Sequence, residues 1–278
     1  MMKRAAAALT IFAGRVGDRN PRGMHGAVAI GNALAQRLEI SPTTLSSAKP
    51  PLAAGWQAEL DAAAHELREI QQRIDQVMTA GRASLMALGR CAASIATLPI
   101  VARHHPDACV VWFDAHGDSN LPSTTATGYL GGMVLSGASG RWPTGWGDDL
   151  DLANVILVGA RDLDPSERGL IAAGVIRCIA PGPDLAAQLS AAIGDGPVYI
   201  HLDCDALEPG LVPVEVPVPG GLSLADLRGA AEILARNDVV GLEIAEYEAT
   251  WAHTGLPGDS RGLLEALHPI LARICAEA

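Results

Sequence analysis

Val110-Val111-Trp112-Phe113 is an apolar run that ends in Asp114-Ala115-His116-Gly117-Asp118. Val198-Tyr199-Ile200-His201-Leu202 is a second such run, ending in Asp203-Cys204-Asp205. Buried strands normally stop in turn residues, whereas packed carboxylates repel one another and take up protons. Two divalent cations neutralise four such charges. Carboxylate oxygens with an imidazole suit Mn²⁺ among the first-row metals. In extended chain, alternation turns Asp114, His116 and Asp118 to one side, and Asp203 with Asp205 likewise. Two ions about 3.5–4 Å apart can share a hydroxide that is nucleophilic near neutral pH. Either cluster alone also reads as a capped turn. The two together, each closing a buried strand, point to metal.

The elements that must position these residues are legible as apolar runs of strand length. They are Leu9–Ala13, Ser84–Leu88, Cys109–Phe113, Val155–Gly159, Val175–Ile179, Val198–Leu202 and Val239–Ile244. They are continuous rather than alternating, as in parallel strands buried on both faces. Helical stretches lie between them. Gln57–Met78 carries apolar residues at a 3.6-residue period. Ser223-Leu224-Ala225-Asp226 reads as a capping box opening a helix to Ala235. Pro269–Ala276 reads as a last helix with proline in its first turn. The expected fold is therefore α/β: three layers, αβα, around a doubly wound and mainly parallel sheet. Ser46–Gly55 and Pro209–Gly221 read as loops, and neither divides two compositions, so one domain over residues 1–278 is expected. Ligands of such sheets sit beyond the carboxyl ends of the strands, where both clusters fall.

The 278 residues are 49% hydrophobic, enough for a well-buried core. A net charge of −11 argues against nucleic acid and anionic membranes as partners. The five cysteines are odd in number and irregular in spacing, which suits a reducing cytoplasm. Met1-Met2-Lys3-Arg4 and the apolar stretch after it mimic an export signal, but without a clear cleavage site they read instead as the lead into a first strand. No apolar run approaches the ~20 residues of a membrane span.

The D-A-H-G-D and D-x-D clusters resemble those of the arginase (ureohydrolase) family, dimanganese enzymes that hydrolyse guanidino groups. Further segments match in order: Gly159-Ala160-Arg161-Asp162-Leu163-Asp164-Pro165, the strand Gly241-Leu242-Glu243-Ile244-Ala245-Glu246, and the loop from Asp118-Ser119-Asn120 through Thr127-Gly128. The resemblance implies an arginase-like fold and two Mn²⁺ per chain. Asp114 and Asp203 would bridge both ions, His116 and Asp205 would complete one, and Asp118 the other. Asp118 would also carry the proton during catalysis. Glu246 would pair with the substrate guanidinium, Asp162 and Asp164 would meet its α-amino group, and Asn120 and Thr127 its α-carboxylate. The implied partner is a small guanidino amino acid, and the family is often homo-oligomeric. Read without the resemblance, Asp162 and Asp164 are also helix caps, and Glu246 is also a strand-end salt bridge.

The departures from the family are equally specific. Its first metal histidine falls on Cys91, a softer and charged ligand that suits Mn²⁺ less well; the alternative is a buried inert thiol. Its proton-shuttle histidine falls on Gly131, and a carboxylate-binding asparagine on Tyr129. His201 stands where the family has serine; it reads first as a core histidine and second as a partner on the Asp203 face. His253 reads as a surface loop residue. This combination resembles the cysteine-bearing branch of the family, which acts in antibiotic biosynthesis and hydrolyses Nω-hydroxy-L-arginine to hydroxyurea and L-ornithine. The alternatives are an arginase releasing urea, a hydrolase of another guanidino or formimino compound, and a binding protein without catalysis. One ion held weakly, next to Cys91, would let the hydroxyguanidine oxygen enter without expelling the nucleophile.

Overall fold

The computed structural model describes residues 5–276; Met1 to Arg4, the basic start considered above, lie outside the described residues. Eight strands form one sheet: β1 (Ala5–Phe12), β2 (Thr43–Leu45), β3 (Arg82–Leu88), β4 (Cys109–Phe113), β5 (Val155–Val158), β6 (Arg177–Ile179), β7 (Val198–Asp203) and β8 (Val239–Ala245). Their order is β2-β1-β3-β8-β7-β4-β5-β6 and every neighbouring pair is parallel. The strand expected over Leu9–Ala13 runs from Ala5 to Phe12, and its last three residues pair with the short edge strand β2, whose polar Thr43-Thr44 leaves no apolar run in the sequence.

Helices cover both faces. On one side lie α1 (Arg22–Leu38), α7 (Leu185–Ile193), α8 (Leu224–Leu234), α9 (Arg261–Ala266) and α10 (His268–Cys275). On the other lie α2 (Trp56–Ala62), α3 (Ala64–Thr79), α4 (Ser94–His104) and α5 (Val134–Ala138), with α6 (Pro165–Ala172) packed partly against that core. Strand alternation divides the core accordingly. Val111, Phe113, Ile200 and Leu202 enter the first layer, and Val110, Trp112 and Tyr199 the second. The helix expected over Gln57–Met78 is two helices with a break at Ala63, although the same apolar stripe from Leu60 through Val77 is buried. The Ser223 capping box is formed, with the Asp226 N–H donating to Ser223 Oγ at 3.1 Å. No helix among the described residues is long and apolar enough to cross a membrane.

Register decides what meets at the strand ends. Phe113 pairs with Leu202, so Asp114 and Asp203 leave the sheet side by side. Asp203 pairs with Ala245, which sets Glu246 one step beyond. Ala87 pairs with Ile244, which brings Gly89, Arg90 and Cys91 alongside Glu246. Helix α1 presses on this edge: a Cβ at Gly26 would lie 1.6 Å from the Tyr247 carbonyl oxygen, so only glycine permits the approach.

Candidate metal centre

Six side chains converge beyond β3, β4 and β7. A ligand atom from each of Cys91, Asp114 and Asp118 lies within 4.8 Å of the others, and the same holds for Asp114, His116 and Asp205. Asp114 is common to both groups, in keeping with a ligand shared by two ions. Cys91, Asp203 and Glu246 make a third such group. Asp203 thus faces Cys91, whose thiol donates to Asp203 Oδ2 at 2.9 Å. The D-x-D turn is fixed internally. The Asp205 N–H donates to Asp203 Oδ1 at 2.7 Å, and Asp205 Oδ1 accepts the Ala115 N–H at 3.0 Å, tying the two clusters together. His116 Nδ1 lies 3.1 Å from Asp205 Oδ2 and 3.3 Å from Asp114 Oδ1. Asp114 Oδ2 accepts the Trp112 indole N–H at 2.9 Å.

Electrostatics tests whether cations fit. Burial holds Asp118 and Asp203 well above the usual carboxylate range, and the charges of Asp114 and Asp205 add to it. Burial, then Asp114, pushes Asp205 up to about 6. Asp114 is lowered against its burial by the hydrogen bonds from His116 and Trp112. The Cys91 thiol is raised by burial and by the surrounding carboxylates. Acids this close cannot all ionise without a compensating positive charge, and, Cys91 apart, an oxygen-rich donor set with one imidazole suits a hard divalent cation such as Mn²⁺.

A pH dependence follows for the metal-free protein. Its folded state retains protons on Asp118, Asp203 and Asp205 that the unfolded chain has released, so stability falls as pH rises from about 4 past 6. Asp205 alone contributes about 3 kcal/mol of that fall. Asp114, lowered, acts in the opposite sense only when pH drops below the ordinary aspartate value. Thermal unfolding with and without saturating Mn²⁺ should show a gap that widens between about pH 5 and about pH 8. A gap independent of pH would remove cations from this cluster.

The cluster opens into a cavity of about 260 Å³ whose lining includes Asn120, Thr127, Asp162, Asp164 and Glu246 together with the aspartates. Asn120 Nδ2 donates to Asp164 Oδ2 at 2.7 Å, and its Oδ1 accepts from Ser166 and Thr124. Asp164 also forms the capping box of α6 with Glu167, so it is both cap and cavity wall. Asp162 caps nothing; its side chain is 68% exposed, 4.0 Å from His116 Nε2. Thr127 is exposed on the cavity rim. Glu246 is engaged from within: its Oε2 receives Arg90 Nη1 at 2.6 Å and its Oε1 the Cys91 N–H at 3.0 Å. The strand-end salt bridge and the cavity-lining carboxylate are therefore the same residue. Asp118 and Glu246 both hold left-handed backbone, φ 45° and 61°, costing roughly 1 kcal/mol or more each in non-glycine residues.

Several contributors escaped the sequence reading. Glu167 is buried, accepts the Ser119 and Asp164 N–H groups and lines the cavity; the D-x-x-E spacing after Asp164 was its available signal. Arg161 donates to the carbonyls of Asp205, Ala206 and Val218, tying the D-x-D turn to the loop beyond it. His201 is a core residue and a partner at once. It is fully buried with its ring stacked on Trp112 at 3.5 Å, its Nε2 is 3.1 Å from Cys91 Sγ, and its Nδ1 is 2.9 Å from Glu243 Oε2. Tyr129 explains Gly131: a Cβ there would lie 2.4 Å from the Tyr129 ring, so the tyrosine occupies the space a side chain at 131 would need. His253 does not line the cavity; it lies exposed against Trp251.

The likeness to known proteins follows these features. The arginase family model matches residues 22–257. The chain is 38% identical over 263 residues to the N(omega)-hydroxy-L-arginine amidinohydrolase of Streptomyces lavendulae, covering 95% of this chain and 94% of that protein. It is 30% identical over 207 residues to mouse arginase-1, covering 67% of this chain and 64% of that one. The fold matches an Entamoeba histolytica arginase solved with L-ornithine at a TM-score of 0.81, over 97% of this chain and 99% of that one, with 19% identity. A parallel eight-stranded sheet whose central strands end in acidic clusters, matched in sequence over most of its length, places this chain in the arginase family, as a hydrolase of linear amidine C–N bonds.

Proposed function

We propose that the chain is a dimanganese amidinohydrolase that converts Nω-hydroxy-L-arginine and water to hydroxyurea and L-ornithine. The observation that carries this reading is the pairing of Cys91, among Asp114, Asp118 and Asp203, with Gly131, whose side-chain space Tyr129 fills. A site without the usual histidines at these two places departs from an arginase in both its metal donors and its proton relay. The similarity to a relative named for hydroxyarginine supports the same reading.

Asp114, His116, Asp118, Asp203, Asp205 and Cys91 would hold the manganese pair. Bound there, the metal supplies positive charge that acidifies water and steadies the charge developing in the transition state. The chain's own residues do the rest. Glu246 accepts an N–H of the hydroxyguanidine and orients its carbon toward the aspartates. Asp162 and Asp164 receive the α-ammonium, and Asn120 and Thr127 the α-carboxylate. Asn120 retains one free amide hydrogen for this, since its other is given to Asp164. Asp118 takes the proton from the attacking water and delivers it to the ornithine nitrogen as the C–N bond breaks.

Arginine is the second candidate substrate, supported by the similarity to mouse arginase-1. Product analysis separates the two. With manganese-loaded protein and each substrate in turn, hydroxyurea and ornithine should form from hydroxyarginine at least about 100-fold more efficiently than urea from arginine, a difference near 2.7 kcal/mol in transition-state stabilisation. A preference for arginine ends the proposal.

A further inference from the structure

Arg90 is 2% exposed, yet it lies on the wall of the cavity. Its guanidinium donates Nη1 to Glu246 at 2.6 Å and Nε to Asp18 at 3.1 Å, while Nη2 lies in ion-pair contact with Glu215 at 2.5 Å and Glu248 at 3.6 Å without a hydrogen bond to either. Asp18 and Glu248 are not part of the cavity lining and anchor Arg90 from behind. Arg22 is held by Glu248 at 2.7 Å, and Arg19 rests over the Tyr129 ring at 4.6 Å. The remaining groups facing Glu246 are Cys91, Asp203 and Tyr129.

A carboxylate offers about four lone-pair sites. Glu246 has given one to Arg90, one to the Cys91 N–H and one, at 3.4 Å, to the Tyr129 hydroxyl. A substrate therefore finds a single acceptor position and cannot form the two-point fork that a guanidinium makes with a free carboxylate. It also finds a second guanidinium already seated on the same group, so an incoming cation meets a like charge. A neutral donor meets neither obstacle. The electron-withdrawing hydroxyl makes an N-hydroxyguanidine a much weaker base than a guanidine, so it is partly neutral near neutral pH.

We infer that Arg90 is a specificity-determining residue, which offsets the charge of Glu246 and occupies its fork so that an uncharged N-hydroxyguanidine is favoured over a guanidinium cation. The inference rests on the amidinohydrolase reading given above and names how that same site chooses its substrate.

The test uses the full-length, manganese-loaded protein. The KM for hydroxyarginine is divided by the inhibition constant of arginine, from about pH 7 to about pH 9, across which arginine's guanidinium stays charged. Titration of the shared α-amino group is common to both ligands and cancels, whereas ionisation of Asp18, which burial raises to about 7, adds negative charge beside Arg90 and favours the cation, so it works against the expected fall rather than producing it. The ratio should fall about five- to ten-fold as the hydroxyguanidine loses its proton. A flat or rising ratio overturns the inference. Arg90→Gln, which removes the charge, should lower the kcat/KM preference for hydroxyarginine over arginine by about ten-fold. An unchanged preference in a variant that melts cooperatively also overturns it. If Arg90→Gln does not fold, the ratio on the unaltered protein decides. Failure of the activity assignment shows differently, as no turnover of hydroxyarginine; calorimetric dissociation constants of the two ligands then replace KM in the same ratio.

Discussion

Asp118→Asn is expected to lower turnover by about 10²–10⁴-fold while leaving the fold intact, because the proposed mechanism gives this carboxylate the proton transfer from water to the leaving nitrogen. The structure argues for both halves of that result. Asp118 lies in the ligand group with Cys91 and Asp114, and with Gly131 and Tyr129 as they are, no side chain at 131 is available to share the relay. Asparagine keeps the shape and removes a charge whose ionisation is opposed by burial and by Asp114, Glu167 and Asp205. In the absence of metal the variant should therefore melt no lower than the parent near pH 8, and with metal it should gain less from added Mn²⁺. A variant with near-normal rate excludes Asp118 from the proton transfer, whatever its effect on metal binding.

His201→Ala is expected to destabilise the protein by about 3–5 kcal/mol, the range for removing a partner from a buried charge, here the Glu243 carboxylate. Glu243 is fully buried, and against that burial His201 and Thr97 hold its carboxyl below the usual glutamate value. Its hydrogen bonds from Ser94, at 2.8 Å, and Thr97 remain in the variant, but the 2.9 Å contact with the imidazole is lost, and so is the ring stacked on Trp112. Urea unfolding measures the loss. Adding Glu243→Gln should return part of it by removing the stranded charge. A loss below about 1 kcal/mol, with no recovery in the double variant, would mean that the pair contributes little to holding the floor beneath Cys91.

The acidic clusters were legible because strand-length apolar runs seldom end in carboxylates, and because alternation over three to five residues is a local property. The same locality accounts for what was misread. The 3.6-residue stripe over residues 57–78 runs through a break at Ala63, since periodicity reports the buried face and not the continuity of the backbone. Strand β2 was missed because an edge strand need bury only part of its residues, and Thr43-Thr44-Leu45 shows no apolar run. His201 resisted reading for a related reason. Alternation places it on the face of Asp203, but whether that face meets apolar packing or a polar group depends on what the neighbouring strands contribute.

Glu246 shows the boundary most clearly. The family resemblance implied a substrate guanidinium as its partner, and the residues read without it left a strand-end salt bridge as the other reading. Strand order supplies the salt bridge, because β3 lies directly beside β8, and the register of Ala87 with Ile244 delivers Arg90 and the Cys91 amide to the two oxygens of Glu246, which still lines the cavity.

By itself the sequence determined which residues carry charge and metal-binding atoms, which strands they terminate, and that a side chain is missing at 131. Tertiary structure alone decided which of these residues meet. Contacts such as Asp114 beside Asp203, Cys91 against His201, and Arg90 on Glu246 join segments about 90 to 160 residues apart, and separations of that length are set by sheet order and register rather than by any local preference of the chain.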